Sequence, residues 1–184
     1  ESAGRNFKLA RDAVDELTTV SQDQLFNLPQ MEPVREAILE KAKAFYETFV
    51  EQATGDPDLI FGLGVAHGRL GNIYDDLGDP VRAIAEYETA IGVFRQLIKD
   101  HPDLPEYASI LARSYVALAS THRVLDKNDV ASELYNKAIA IRKQLVKDNP
   151  DLPKYSSILA KSYNRLASTH AALGQADEAI ELYN

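Results

Sequence analysis

The sequence contains no cysteine. That absence rules out disulfides, thiolate catalysis and cysteine-based zinc sites. It leaves the compartment open, because a cysteine-free chain folds equally well in reducing and oxidising surroundings. No apolar run reaches the roughly 18 residues that a membrane-spanning helix needs, and no signal peptide is recognisable. Lysine and arginine (20) are outnumbered by aspartate and glutamate (28), for a net charge of −8 and a pI of about 5.0. No dense Lys/Arg cluster offsets this, so the chain as a whole repels a phosphate backbone and nucleic acid is not an expected partner. No stretch alternates apolar and polar residues as a half-buried strand does. What is present suffices for a core: 184 residues, 45% of them hydrophobic and 26% charged, which is the composition of an ordered domain or short repeat array. The first residue is Glu1, and the sequence is expected to be a piece of a longer protein.

The informative feature is internal self-similarity. Residues 102–125 read PDLPEYASILARSYVALASTHRVL and residues 150–173 read PDLPKYSSILAKSYNRLASTHAAL, an offset of 48. The register continues in both directions. Glu133-Leu134-Tyr135-Asn136 matches Glu181-Leu182-Tyr183-Asn184, and Leu118, Leu125, Ala131, Tyr135 and Ala138 match Leu70, Leu77, Ala83, Tyr87 and Ala90.

Each unit reads as two helices. Leu111, Tyr115, Leu118, His122 and Leu125 recur at steps of four and three, which is one helical face. Ala131, Leu134, Tyr135, Ala138, Leu145 and Val146 do the same on the next helix. Pro102 and Pro150 follow the ends of second helices, and Pro105 and Pro153 suit a first helical turn, where a missing N–H costs nothing. Gly78 and Gly174 fit helix C-termini. Asp79-Pro80 reads as an N-cap followed by proline at the first helical position.

Leu118-Ala119, His122, Ala131, Tyr135 and Ala138 resemble the signature of the tetratricopeptide (TPR) repeat. The resemblance implies an all-α superhelix of antiparallel hairpins. Gly71, Ala119 and Ala167 would let two helices approach, and Ala83, Ala131 and Ala179 would do so from the second helix. Tyr87, Tyr135 and Tyr183 would fill the space between hairpins. The family unit is 34 residues long; the unit here is 48, which corresponds to about two extra turns per helix. The expected organisation is a divergent N-terminal hairpin over 1–56 acting as a cap, repeats over 57–104 and 105–152, and a third over 153–184 that stops inside its second helix. Within the cap, Leu39, Ala42, Tyr46 and Phe49-Val50 fall in register with Tyr87, Ala90, Phe94 and Leu97-Ile98, so 33–53 reads as a second helix. Residues 5–20 read as its first helix, with a loop around Ser21–Glu32. The truncated last hairpin would expose an apolar face, which makes self-association a further expectation.

No motif carries catalysis. Gly62, Gly64, Gly68 and Gly71 lack the preceding strand of a phosphate loop and read as close helix packing. His122 and His170 are equivalent by register and read as packing residues; a two-histidine metal site would need a carboxylate that the sequence does not place. Asp75 and Asp76 are adjacent on a helix and point apart. No cofactor, no metal and no enzymatic activity are expected of this chain.

The surface of interest is the inner face, lined in TPR proteins by first helices. By register it includes Val65, Gly68, Arg69, Asn72 and Asp75, then Arg113, Val116, Ser120 and Arg123, then Lys161, Asn164, Arg165 and Ser168. Some TPR domains clamp a peptide's terminal carboxylate with Lys, Asn and Arg. Asn72, Lys161 and Arg165 match three of the five clamp positions, while Gly68 and Ala117 stand where Lys and Asn would be. Arg113, Arg123, Lys161 and Arg165 form a basic stripe on an acidic protein, so the expected ligand is an acidic or extended peptide.

The phrases RDAVDELTTVS, MEPVREAILEKA and FYETFV, with LVKDNPDLPKY and LAKSYNRLA further on, resemble the region after the transmembrane helix in planctomycete-type receptor-like serine/threonine kinases with C-terminal TPR arrays. That resemblance implies a kinase parent, a sensor, docking or oligomerisation role, and a location on the extracytoplasmic side of a membrane-anchored bacterial protein. The kinase motifs themselves are absent from this sequence. The competing expectation is part of a soluble, cytoplasmic TPR scaffold.

Overall fold

A computed structural model describes residues 2–23, 31–53, 59–175 and 178–179. Among these residues the structure is all-α, without a strand. The helices are α1 (Ser2–Asp23), α2 (Glu32–Ala53), α3 (Ile60–Asp76), α4 (Pro80–Asp100), α5 (Pro105–Val124), α6 (Asn128–Asp148) and α7 (Pro153–Ala172). They fall into two compact units, Glu1–Glu86 and Tyr87–Asn184.

The 48-residue period sets the helix bounds. α5 and α7 each span 20 residues and open on Pro105 and Pro153, while α4 and α6 each span 21. Three first helices end in the same way. The N–H of Gly78, Asp126 and Gly174 donates to the carbonyl of Asp75, Arg123 and Ala171, and the next N–H donates to that of Tyr74, His122 and His170, all at 2.8–3.1 Å. This pair of bonds satisfies the orphan carbonyls of a helix end, and it requires a left-handed residue between them. Gly78 and Gly174 supply φ of 76° and 74°, and in the middle unit Asp126 adopts 57°. A side chain in this region is strained by roughly 1 kcal/mol or more, less for aspartate than for most residues. α4 is capped as expected: the Arg82 N–H donates to Asp79 Oδ1 at 3.1 Å, and the Arg82 guanidinium meets the other carboxylate oxygen.

Burial follows the register. Leu70, Leu118 and Leu166 are buried, as are Gly71, Ala119 and Ala167, Ala83, Ala131 and Ala179, and Tyr87 and Tyr135. Each buried leucine contributes roughly 1.5–3 kcal/mol, and the small residues let α5 lie close against α6. In the first unit, Leu39, Ala42 and Tyr46 are buried 48 positions before Tyr87, Ala90 and Phe94. The helix runs past Ser21, where a loop was expected to begin. No glycine or proline interrupts the chain there, and α1 carries on through Asp23. Tyr183 and the apolar face expected of the last hairpin lie outside the described residues.

Candidate peptide-binding site

In the second unit, Lys161, Asn164, Arg165 and Ser168 sit three or four residues apart, or adjacent, on α7, and so share one face. Their neighbours Ser162, Leu166 and Thr169 face inward and are buried. Together with Arg123 of α5 the four line an open cavity of about 340 Å³. No acidic side chain lines it, and Arg123, Lys161 and Arg165 form no ion pair among the described residues. Arg165 is positioned through Ser120: its guanidinium donates to Ser120 Oγ at 3.2 Å, and Ser120 in turn bonds the Val116 carbonyl and the Tyr135 hydroxyl, each at 3.0 Å. This chain ties α7 to α5 and α6. Arg113 is exposed and Val116 half-buried on the same helix α5. Of the ten residues expected to form a groove, five share this cavity, and Ser120 braces one of them.

Behind the α7 wall lies a residue that the sequence reading passed over. Arg142 of α6 is only 7% exposed. Its guanidinium donates to the Ile158 carbonyl at 2.9 Å and to Ser162 Oγ on α7, while its Nε has no partner. No described carboxylate pairs with it. Burial, then the nearby charges of Arg165 and Arg113, hold its pKa below the usual arginine value. The 48-residue register could have flagged it, because Arg142 stands where Phe94 and Tyr46 stand in the preceding hairpins.

Arg69 and Asn72 belong to the first unit, where Arg69 is already engaged. It donates to Asp15 Oδ2 on α1 at 2.7 Å, and Tyr46 donates its hydroxyl to Asp15 Oδ1 at 2.6 Å. Burial, then the hydrogen bond to Asp15, push the Tyr46 pKa well up. Arg69 therefore ties α1 to α3 through this ion pair, with its side chain still 36% exposed. Asn72 is half-buried. Val65, expected on the inner face, is buried with 8% exposure, because that side of α3 packs inward.

The glycines of α3 divide. Gly64 and Gly71 are buried in packing, whereas a Cβ on Gly68 would meet nothing within 4 Å. Close packing is thus not what places a glycine at Gly68. His67 bonds Glu86 at 2.6 Å, and His170 bonds Gln175 at 2.6 Å. His122 is half-buried with an unpartnered Nδ1. Burial, then Lys127, lower its pKa, with Glu88 opposing. Among the described residues no three His, Asp or Glu side chains cluster as metal ligands, and no helix is long and apolar enough to cross a membrane.

Two tetratricopeptide repeat models match the sequence, one at residues 65–96 and 160–184 and the other at 111–151, together more than half of the chain. The chain belongs to the tetratricopeptide repeat family. Its structure is similar to that of BtubC from P. vanneervenii, with a TM-score of 0.63 and 19% identity over 98% of this chain and 72% of that one. It is also similar to a Podosopora anserina kinesin light chain candidate with nearly identical TPR-like repeats, with a TM-score of 0.61 and 17% identity over 94% and 72%. Similarity to MamA is lower, at a TM-score of 0.51 and 20% identity over 80% of this chain and 66% of that one, so the chain spans just under two thirds of that structure's length. At these identities the likeness concerns the TPR fold alone. No curated protein sequence matches the chain. TPR repeats bind protein partners, and the repeat fold is generally non-catalytic. Of the carboxylate-clamp positions, Lys161 and Arg165 share the cavity, while Asn72 and Gly68 lie in the other unit.

Proposed function

We propose that the chain is a peptide-binding TPR region whose docking surface is the α5–α7 face of the second unit and whose ligand is an acidic or extended peptide. The observation that carries this reading is a cavity lined by Arg123, Lys161 and Arg165 with no acidic side chain, on a chain of net charge −8. Local cations on an acidic protein select an oppositely charged partner and steer its approach. The face is otherwise polar, with Asn164 and Ser168 able to bond a peptide backbone. The test is fluorescence polarisation of a labelled glutamate-rich peptide. The double substitution Lys161→Glu and Arg165→Glu is expected to weaken binding about tenfold or more, and salt to weaken it further, as for exposed charges. Reversal of Lys137, exposed on α6, leaves binding unchanged. Equal weakening by both changes would show only a general charge effect and defeat the assignment.

We further propose that this region serves as the sensor, docking or oligomerisation part of a membrane-anchored serine/threonine kinase. The support is the resemblance of RDAVDELTTVS, MEPVREAILEKA and FYETFV to such proteins. A soluble scaffold accounts equally well for the repeats. The gene upstream of Glu1 decides: kinase motifs followed by about 20 apolar residues support the first reading, and their absence supports the second.

A further inference from the structure

The cations around the α5–α7 cavity carry more charge than a single carboxylate neutralises. Arg123, Lys161 and Arg165 converge on one opening that no acidic side chain lines. Directly behind it Arg142 is buried, bonded to neutral oxygens only, with its Nε unpartnered. Its charge bears on those of Arg165 and Arg113, and theirs on it. The position is not obliged to be cationic, since Phe94 and Tyr46 fill it elsewhere in the chain with full burial. A buried guanidinium without a described carboxylate, near the further positive charge of Arg165, costs folding free energy in the free protein. A bound anion relieves that repulsion, so the protein carries a positive potential held ready for one.

The number and type of donors identify the anion. A carboxylate offers two oxygens but only one charge, which a single guanidinium neutralises in fork geometry. A phosphate monoester carries a charge near −2 and three terminal oxygens. It can be met at once by two guanidiniums and an ammonium, which is the set that Arg123, Arg165 and Lys161 present. Asn164 and Ser168 add neutral donors on the same wall. The cavity, about 340 Å³, is open on the solvent side, as a group at the tip of a side chain requires.

We infer that the cavity between α5 and α7 receives the phosphate of a phosphoserine- or phosphothreonine-bearing peptide, with Arg123, Lys161 and Arg165 as direct ligands and Arg142 as the buried charge behind them. This rests on the peptide-binding reading and adds the group that is recognised.

The experiment uses the whole 184-residue chain and three otherwise identical acidic peptides that carry phosphoserine, glutamate or serine at the centre, followed by calorimetry. The phosphopeptide is expected to bind about tenfold or more tightly than the serine peptide, and more tightly than the glutamate peptide. Lys161→Gln with Arg165→Gln, both exposed and checked for an unchanged helical circular dichroism spectrum, should reduce it to the level of the serine peptide. Arg142→Met should leave the protein folded, raise its melting temperature and reduce the phosphoserine preference. In parallel, inorganic phosphate should raise the wild-type melting temperature more than that of Lys161→Gln with Arg165→Gln, since surface exclusion of phosphate stabilises both alike and only binding to the folded chain separates them. Equal binding of all three peptides overturns the phosphate assignment and leaves the acidic-peptide reading standing. Binding of none overturns both. A phosphoserine preference that survives the double substitution places the site elsewhere and overturns the assignment too.

Discussion

The two units treat positive charge in opposite ways. In the first, four cations meet carboxylates: Arg69 with Asp15, Arg82 with Asp79, Lys43 with Glu40 and Arg11 with Asp12. Two of its tyrosines are also spent on carboxylates, Tyr46 on Asp15 and Tyr74 on Glu47, each at 2.6 Å. Burial, then the bond to Glu47, push Tyr74 up to about 12. In the second unit Arg123, Arg142, Lys161 and Arg165 reach no described carboxylate. The lesson is that one repeat architecture supports two uses of charge. Pairing ties α1 onto α2 and α3, whereas unpaired cations leave a potential that a partner can satisfy.

Removing a charge should therefore have opposite signs in the two units. Asp15→Ala orphans both the Tyr46 hydroxyl and the Arg69 guanidinium, and is expected to cost about 2–3 kcal/mol, read by urea denaturation. Arg142→Phe replaces a buried unpaired cation with the residue type of Phe94, and is expected to stabilise by about 1–3 kcal/mol in the same assay. If Arg142→Phe destabilised as Asp15→Ala does, the contrast between the units would collapse.

A smaller effect sharpens the comparison at the helix ends. Gly78→Ala should cost about 1 kcal/mol through its positive φ alone, since no atom lies near the added Cβ. Asp126→Gly, at the equivalent left-handed position, should gain about 0.5 kcal/mol. Thermal melting of both variants checks the pair.

The smallest effect is in pH. The pKa of His122 is lowered in the folded chain by burial and by Lys127, so the fold favours the neutral ring. Its contribution is fully present above the ordinary histidine pKa, about 6.5, and is lost as pH falls below that, because the unfolded chain takes the proton first. Melting temperatures of wild type and His122→Phe should therefore diverge below about pH 6.5, the wild type falling faster. Parallel curves would contradict the burial argument.

Much of this was legible in the sequence because it depends on local spacing. The 48-residue period, Pro105 and Pro153 at helix starts, Gly78 and Gly174 at helix ends, and the buried Leu70, Leu118 and Leu166 all follow from i, i+3 and i+4 geometry and backbone sterics. The cavity residues Lys161, Asn164, Arg165 and Ser168 were legible for the same reason, being one face of one helix. What escaped depends on contacts distant in sequence. Nothing local shows that Arg69 meets Asp15, which lies 54 residues away, and so Arg69 looked available. Arg142 escaped for a different reason: the register was followed through apolar matches, and a charged residue at an aromatic position reads locally as an exposed one. Asp126 escaped because glycine is the expected marker of a left-handed helix end.

The central claim is that the α5–α7 face of the second unit is the docking surface. The direct measurement is a map of backbone amide chemical-shift changes as an unlabelled glutamate-rich peptide is titrated into the isotopically labelled chain. The account predicts changes centred on residues 113–123 and 161–168, abolished by Lys161→Glu with Arg165→Glu. Changes centred instead on the apolar cavity of about 640 Å³ around Leu104, Leu111, Ile141 and Leu145, or on the first unit, would contradict it.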